Sequence, residues 1–301
     1  MATLLDLAQQ GDPATVSDDS QLRDITLMNP QQLYELWERQ PWSSQTIDLE
    51  RDKLDWAGLS EQQREEILWI LSSFFIGEER VTTQFSGLVM AYEDEQEEAF
   101  LTTQQVDEAR HMQFFDRYYR EVFAYDGGIE ARLARTRELL TPAFLELFDE
   151  RLVEAGKRLI ADPSDVESKI GFITTYHMVI EGTLALTGQN FLLDYFESND
   201  LLPGFVEGFT NIARDEHRHV AYGTWFLQQK ASEEAHSQRI QDTLVQQLPL
   251  AAGVLVPPGK ELGDEYEFLG YTSEEQTQFA YTALRRRLKV IGVGLPEVAQ
   301  A

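Results

Sequence analysis

One pattern occurs twice in this chain, and it restricts the fold more than any other feature. Glu78 is followed by Glu108-Ala-Arg-His111, and Glu181 is followed by Glu216-His217-Arg218-His219. Each half therefore offers a lone glutamate and then a Glu-x-x-His. On an α-helix, residues three apart lie about 60° apart around the axis, so each Glu-x-x-His aims a carboxylate and an imidazole into one space. Glu78 itself follows Leu71, Phe74 and Phe75 by one or two turns on an apolar face. A carboxylate there is unfavourable unless something neutralises it.

Local signals place these residues on long helices. Residues 1–28 are polar and rich in Gln, Asp and Ser, and are expected to form a loosely held arm. Asn29-Pro30 reads as an N-cap followed by proline at the first helical position, opening a short helix with Leu33, Leu36 and Trp37 on one face. A loop with Pro41 and Trp42 leads to Asp48. Ser60, with Gln62 and Gln63 behind it, reads as a capping box. The long helix it opens repeats apolar residues at three- and four-residue intervals (Ile67, Leu68, Ile70, Leu71, Phe74, Phe75) and ends near Tyr92. Further helices are expected from Asp94 to Phe123, near 129–138, from Thr141-Pro142 to Ile160, over 165–196, from Pro203-Gly204 to Lys230, through Leu250, and over 274–290. The breakers between them include Asp126-Gly127-Gly128, Asp162-Pro163-Ser164 and Pro257-Pro258-Gly259. No convincing strand alternation occurs, and a short strand in the tail stays open.

Glu78 and Glu108 are 30 residues apart and Glu181 and Glu216 are 35 apart, separations that suit two antiparallel helix hairpins. Two such hairpins pack as a four-helix bundle with a pseudo-repeat. The expected fold is all-α: a ferritin-like four-helix bundle with additional flanking helices. The bundle domain spans 29–256, after the 1–28 arm and before a partly helical extension over 257–301.

Four carboxylates and two imidazoles form an oxygen-rich donor set suited to iron or manganese. One ion cannot use six such groups, so Glu78, Glu108, His111, Glu181, Glu216 and His219 are candidate ligands of a metal pair. A single Glu-x-x-His is more simply a solvated pair on a charged surface. Two copies, in a chain with only five histidines, favour the metal reading. Asp107 and Asp215 each precede a candidate ligand and point about 100° away on the wheel. Each is expected to accept the remaining N–H of the other hairpin's histidine, a surface acid being the alternative. His217, about 160° from His219, is expected to face solvent, and His236 to be exposed. His177, one turn before Glu181, is an extra ligand, a hydrogen-bond partner or, more simply, a packed neutral histidine.

Charge excludes several functions. With 52 acidic against 25 basic residues, the net charge is -27, and such a surface repels nucleic acid and anionic membranes. Only six of the bases are lysine, which suggests a salt-rich cytoplasm that screens self-repulsion. Equal stability at low and several-molar salt would count against that habitat. There is no cysteine, hence no disulfide, thiolate site or thiol nucleophile. The start MATLLDLAQQGDPA lacks the pattern of a signal peptide, and the apolar run from Ile67 to Ile76 is too short to cross a bilayer. A soluble, cytoplasmic protein is expected, without membrane insertion.

Four segments in order carry a family resemblance: Gly77-Glu78-Glu79-Arg80-Val81-Thr82, Asp107-Glu108-Ala109-Arg110-His111, Tyr176-His177-Met178-Val179-Ile180-Glu181-Gly182-Thr183-Leu184-Ala185, and Asp215-Glu216-His217-Arg218-His219. Over about residues 30–250 the chain resembles the ribonucleotide reductase small-subunit-like superfamily, and within it the ligand-binding oxidases. That resemblance implies one Mn and one Fe ion (two Fe as the alternative), activation of O2, a long-chain fatty acid at the metals, and a homodimer. It also implies an ether cross-link between a valine and a tyrosine, whose positions match Val81 and Tyr176. Val81 shares a face with Glu78. Tyr176 sits about 140° from Glu181 on an ideal wheel, so its reach requires side-chain length or a helix bulge. From the residues alone, both are core packing. His177 stands where the oxidases usually have asparagine, and Gln189, after Gly188, where a tyrosine is often seen.

Two rivals remain. A radical-generating reductase subunit resembles the chain at Trp42, but Phe115 stands at the usual radical-tyrosine position and no aromatic follows Tyr281. Iron storage without substrate oxidation needs a shorter bundle than this one. A helical interaction protein without metal leaves the paired Glu-x-x-His unexplained.

Overall fold

The structure, a computed structural model, describes residues 26–296. Nearly all of the expected N-terminal arm lies outside those residues. Among the described residues, the regular structure is helical apart from one two-stranded hairpin.

In chain order, α1 is Pro30–Glu38, α2 Glu50–Gly58, α3 Glu61–Gln84, α4 Ser86–Met90, α5 Glu95–Glu121 and α6 Ile129–Arg137. Helix α7 joins Pro142–Leu145, a π-helical segment Glu146–Arg151, and Leu152–Ala161. Helix α8 joins Val166–Ile173, a π-helical segment Thr174–Ala185, and Leu186–Ser198. Then come α9 (Pro203–Lys230), α10 (Glu234–Val254), β1 (Glu267–Phe268), β2 (Tyr271–Thr272) and α11 (Ser273–Ile291).

The caps anticipated at Asn29 and Ser60 form. Asn29 and Gln32 make a reciprocal capping box at α1, as do Ser60 and Gln63 at α3. The Asp94 carboxylate accepts from the amides of Gln96 and Glu97 and opens α5. The first long helix ends at Gln84 rather than Tyr92, because Phe85 interrupts the run before α4. The tail strands pair antiparallel, Glu267 with Thr272 and Phe268 with Tyr271. Leu269 and Gly270 between them both have positive φ, as the tight two-residue turn requires.

Helix α2 was not anticipated, because its sequence is polar and lacks an apolar stripe. Its reason is tertiary. Leu202 opens α9 in a left-handed conformation with no side-chain cap of its own. Asp52 of α2 supplies the cap instead, accepting from the amides of Gly204 (2.8 Å) and Phe205 (2.7 Å). The carboxylate satisfies orphan donors and offsets the positive end of the helix dipole.

Helices α3, α5, α8 and α9 form the bundle, with α3 packed on α5 and α8 on α9; α1, α10 and α11 lie against them. The core divides in two. Phe74, Phe75, Phe114, Phe115, Phe205 and Phe209 belong to one apolar cluster, while Val81, Phe100, Tyr176, Ile180, Val220 and Tyr222 belong to the other. On α3, α5 and α9 the chain crosses from one cluster to the other at Glu78, at Glu108 and His111, and at Glu216 and His219. A polar layer is thereby held between two greasy ones.

Candidate metal centre

That layer brings all six candidate ligands together, each buried. Ligand atoms converge in two overlapping groups, Glu78, Glu108, His111 and Glu216 in one, and Glu108, Glu181, Glu216 and His219 in the other. Within each group they lie within 4.8 Å of one another. Glu108 and Glu216 belong to both, which is the arrangement two ions bridged by carboxylates need.

The two halves match. His111 Nδ1 faces Glu78 Oε2 at 3.4 Å, Glu108 Oε2 at 3.5 Å and Glu216 Oε1 at 3.3 Å. His219 Nδ1 faces Glu108 Oε1 at 3.0 Å, Glu181 Oε1 at 3.2 Å and Glu216 Oε2 at 3.5 Å. His111 Nδ1, Glu181 Oε2 and Glu216 Oε2 are buried without a hydrogen-bond partner. Orphaned buried donors and acceptors are uncommon in folded proteins, and these three converge on one space. The residues therefore fit a pair of metal ions.

Protonation tells the same story. Burial, with Glu216 and Glu108 nearby, pushes Glu78 up to about 8 despite His111. Burial and Glu216 likewise hold Glu181 well above the carboxylate range. Burial would lower His111, but Glu78 and Asp215 overcome it and raise it well above its usual value; Glu108 and Asp107 do the same for His219. Without ions, the cluster keeps extra protons to balance its charge. A bound metal pair takes over that task and displaces them.

Behind the histidines lies a second polar network. His111 Nε2 is 3.2 Å from Asp215 Oδ2, and His219 Nε2 is 3.3 Å from Asp107 Oδ2. Each imidazole thus meets an aspartate of the other hairpin. Arg218 donates to both Asp107 (3.0 Å) and Asp215 (2.5 Å), and Arg110 bridges the same two acids. Trp37 Nε1 donates to Asp107 at 2.9 Å and Trp42 Nε1 to Asp215 at 2.7 Å. Burial would raise Asp215, yet Arg218, His111 and Arg110 hold it far below the usual carboxylate range. It is a permanent anion, able to fix the His111 tautomer with Nδ1 turned toward the cluster.

The tryptophans come from outside the bundle helices, and nothing in the sequence ties Trp37 or Trp42 to the two aspartates. The arginines had one, since Asp107-Arg110 and Asp215-Arg218 repeat the same i,i+3 spacing in both halves.

Tyr176 reaches the site through the π-helical winding of α8. Its hydroxyl donates to Glu108 Oε1 at 2.5 Å and accepts from Gln104 Nε2 at 3.2 Å. With i→i+5 bonding, Tyr176 and Glu181 become neighbours on successive turns, which an ideal α-helix denies them. His177 is fully buried and meets the Gln104 amide at 3.2 Å. Burial, reinforced by His219, holds its pKa well below the usual range, so it is neutral. It is in neither converging group.

His217 corrects the expectation of a solvent-facing residue. It does point away from the cluster, with its Nδ1 2.5 Å from the Ala213 carbonyl, but it is 3% exposed. The wheel gives direction, not exposure, and α9 is packed by α8, α11 and α2 on several sides. His236 is half-buried, 3.5 Å from Glu167, rather than exposed.

A cavity of about 630 Å³, counting its open mouth, abuts the cluster. Glu78, Glu108, Glu181 and Glu216 line one end with Val81 and Tyr176, and the rest is apolar apart from Ser73, reaching Phe144, Phe148, Val254 and Leu255.

A family model described as "Ribonucleotide reductase, small chain" matches residues 20–252. The chain belongs to the ribonucleotide reductase small chain family. Solved structures similar to this family member include variants of an R2-like ligand-binding oxidase. One, a valine-to-isoleucine variant with aerobically reconstituted Mn/Fe cofactor, is 24% identical, with a TM-score of 0.76, covering 92% of this chain and 99% of that one. Another, a glycine-to-phenylalanine variant with anaerobically reconstituted Mn/Fe cofactor, is 24% identical with a TM-score of 0.74, covering 92% and 98%. A tyrosine-to-phenylalanine variant with aerobically reconstituted Mn/Fe cofactor is 25% identical with a TM-score of 0.68, covering 90% and 94%. They share the all-α fold of this small chain family member along nearly its whole length. Among its described residues, no helix is long and apolar enough to cross a membrane.

Proposed function

We propose that this chain is an O2-activating oxidase that holds one Mn and one Fe ion beside an apolar ligand pocket. The observation that carries the reading is the overlap of two ligand groups on Glu108 and Glu216, directly at the head of the cavity. Glu78 and His111 would hold one ion, Glu181 and His219 the other, with Glu108 and Glu216 between them. Mn/Fe is favoured over two Fe by the cofactors named for the similar oxidase structures. Such a pair, when bound, supplies the electrons that reduce O2 and the oxidising power to attack a strong C–H bond.

The protein's own part is positioning and proton handling. Asp107 and Asp215 orient the imidazoles, and the apolar clusters above and below keep water out. The ligand is a long-chain fatty acid or a similar molecule, with its polar end at the cluster. Tyr176 and Val81 both border the cavity, and we infer that they join as an ether. Forming the C–O bond removes one hydrogen from the Tyr176 hydroxyl and one from a Val81 carbon. Those two electrons and two protons go to O2, and Glu108 Oε1 is placed to take the phenol proton.

A radical-generating reductase subunit is the second reading. Trp42 hydrogen-bonded to Asp215, itself against His111, favours it. Phe115 weighs against it, since that buried ring packs among Phe74, Phe75 and Phe209 with no hydroxyl to oxidise.

Intact mass and metal analysis after aerobic reconstitution with Mn(II) and Fe(II) separate the two. One Mn, one Fe and a loss of two hydrogens per chain support the oxidase. An unmodified di-iron protein that drives nucleotide reduction with a large subunit supports the reductase.

A further inference from the structure

A second, smaller cavity, about 380 Å³ counting space open to solvent, lies beyond the first, under the β1–β2 hairpin. Phe268 and Leu269 of the hairpin and Gln276 of α11 form its far wall. Ile70, Gly188 and Leu255 line both cavities, so one short neck separates them. Polar groups are distributed unequally. The first cavity carries four carboxylates and the Tyr176 phenol at its inner end. The polar side chains of the second are Thr187 and Gln276, which bond the carbonyls of Thr183 (2.6 Å) and Tyr271 (3.3 Å), and Trp69, whose buried Nε1 has no hydrogen-bond partner. An apolar space of this kind favours hydrocarbon over water.

Gly188 is the notable residue of the neck. It sits inside α8 with an ordinary negative φ, so backbone conformation does not require glycine, and glycine weakens a helix by about 1 kcal/mol against alanine. A Cβ there would lie 2.8 Å from Cζ of Phe74, whose ring lines the first cavity. A side chain at this position would press on Phe74 and fill the passage.

We propose that the two cavities form one ligand site, in which the second receives the tail of an unbranched long-chain carboxylic acid whose head lies at the Glu78–Glu181 cluster, and that Gly188 sets which tails pass. This rests on the apolar-ligand reading above. It adds a distal subsite and a residue that determines chain-length specificity.

The test is a titration of the metal-loaded protein with saturated straight-chain acids from octanoate to octadecanoate, read by displacement of a fluorescent fatty acid. In the wild type, affinity rises about fourfold per methylene as the tail is buried, and levels off only at long chains. In Gly188→Val the rise stops several methylenes earlier, while the shortest acids still bind. Phe268→Ala leaves the neck untouched, enlarges the far cavity and moves the plateau to longer acids. It decides the matter alone should the Gly188 variant not fold. A plateau at the same length in the wild type and in every folded variant overturns the distal subsite and leaves the ligand reading standing. Absence of binding by any acid to the wild type overturns the ligand reading, and the subsite with it.

Discussion

The Tyr176 hydroxyl stands 2.5 Å from Glu108 Oε1 although the two residues belong to different hairpins. Burial and the charge of Glu108 keep the phenol protonated, so it serves as a fixed donor to a carboxylate shared by both ligand groups. Tyr176→Phe removes that donor from a buried anion. The metal-free variant should lose about 1–3 kcal/mol of stability, measured by denaturant unfolding. After aerobic reconstitution its intact mass should lack the two-hydrogen loss expected of the wild type. A variant that still shows the loss would place the cross-link elsewhere.

The overlap of the two ligand groups makes a graded prediction about stoichiometry. Glu108→Ala or Glu216→Ala removes a donor from both groups, and such a variant should hold fewer than two ions per chain under any loading protocol. Glu78→Ala and Glu181→Ala each strip a single group, so each should retain one ion well and lose the other. Metal analysis after gel filtration reads the difference. Two tightly held ions in Glu108→Ala would mean the ligands have been misassigned.

Asp107 and Asp215 touch no candidate metal position, yet each holds a histidine and the Arg218 guanidinium. Asn at either position keeps the shape and loses the charge. Metal affinity should fall about 10–100-fold, while the fold survives. Ala at either position leaves Arg218 buried with half its counter-charge, and should cost about 3–5 kcal/mol. Competition with a chelator and thermal melts separate these effects; unchanged affinity in both Asn variants would make the aspartates mere scaffolding.

Glu78 and Glu181 lead the pH dependence of the metal-free protein, and Glu78 shows its sign. Its pKa rises from 4.5 to about 8 on folding. Between those values the folded state holds a proton that the unfolded chain has released, so stability falls as pH rises through that window. His111 and His219, raised on folding, act in the same direction above 6.5, while His177, lowered on folding, opposes the two glutamates below 6.5 without outweighing them. Melting temperatures of the metal-free protein should therefore decline from about pH 5 to about pH 8. The loaded protein should decline less, and loading in weak buffer should release protons. A metal-free protein that grows steadily more stable up to pH 8 would contradict this.

Much of this architecture is legible in the chain itself. The spacing around Glu78, Glu108, Glu181 and Glu216 was enough to argue for two hairpins, and the caps at Asn29, Ser60 and Asp94 follow local rules that need no tertiary information. What was illegible depends on contacts between distant segments. Helix α2 has no amphipathic signal because it exists to cap α9 through Asp52. Trp37 and Trp42 reach the aspartates across the bundle, which periodicity cannot foretell. His217 was misjudged because a helical wheel knows nothing of the helices stacked outside it. Tyr176 lay between these cases: its ideal-wheel angle left side-chain length or a bulge to bring it to the site, and α8 winds as a π-helix over that stretch.

The crossed aspartates carry one more implication. Asp215 steadies the imidazole of the first hairpin and Asp107 that of the second, so neither half of the duplication is self-sufficient. A lone hairpin, cut out and folded by itself, would possess an imidazole and two glutamates but no anchor to aim the ring. Each hairpin therefore depends on its neighbour to orient the ring it contributes.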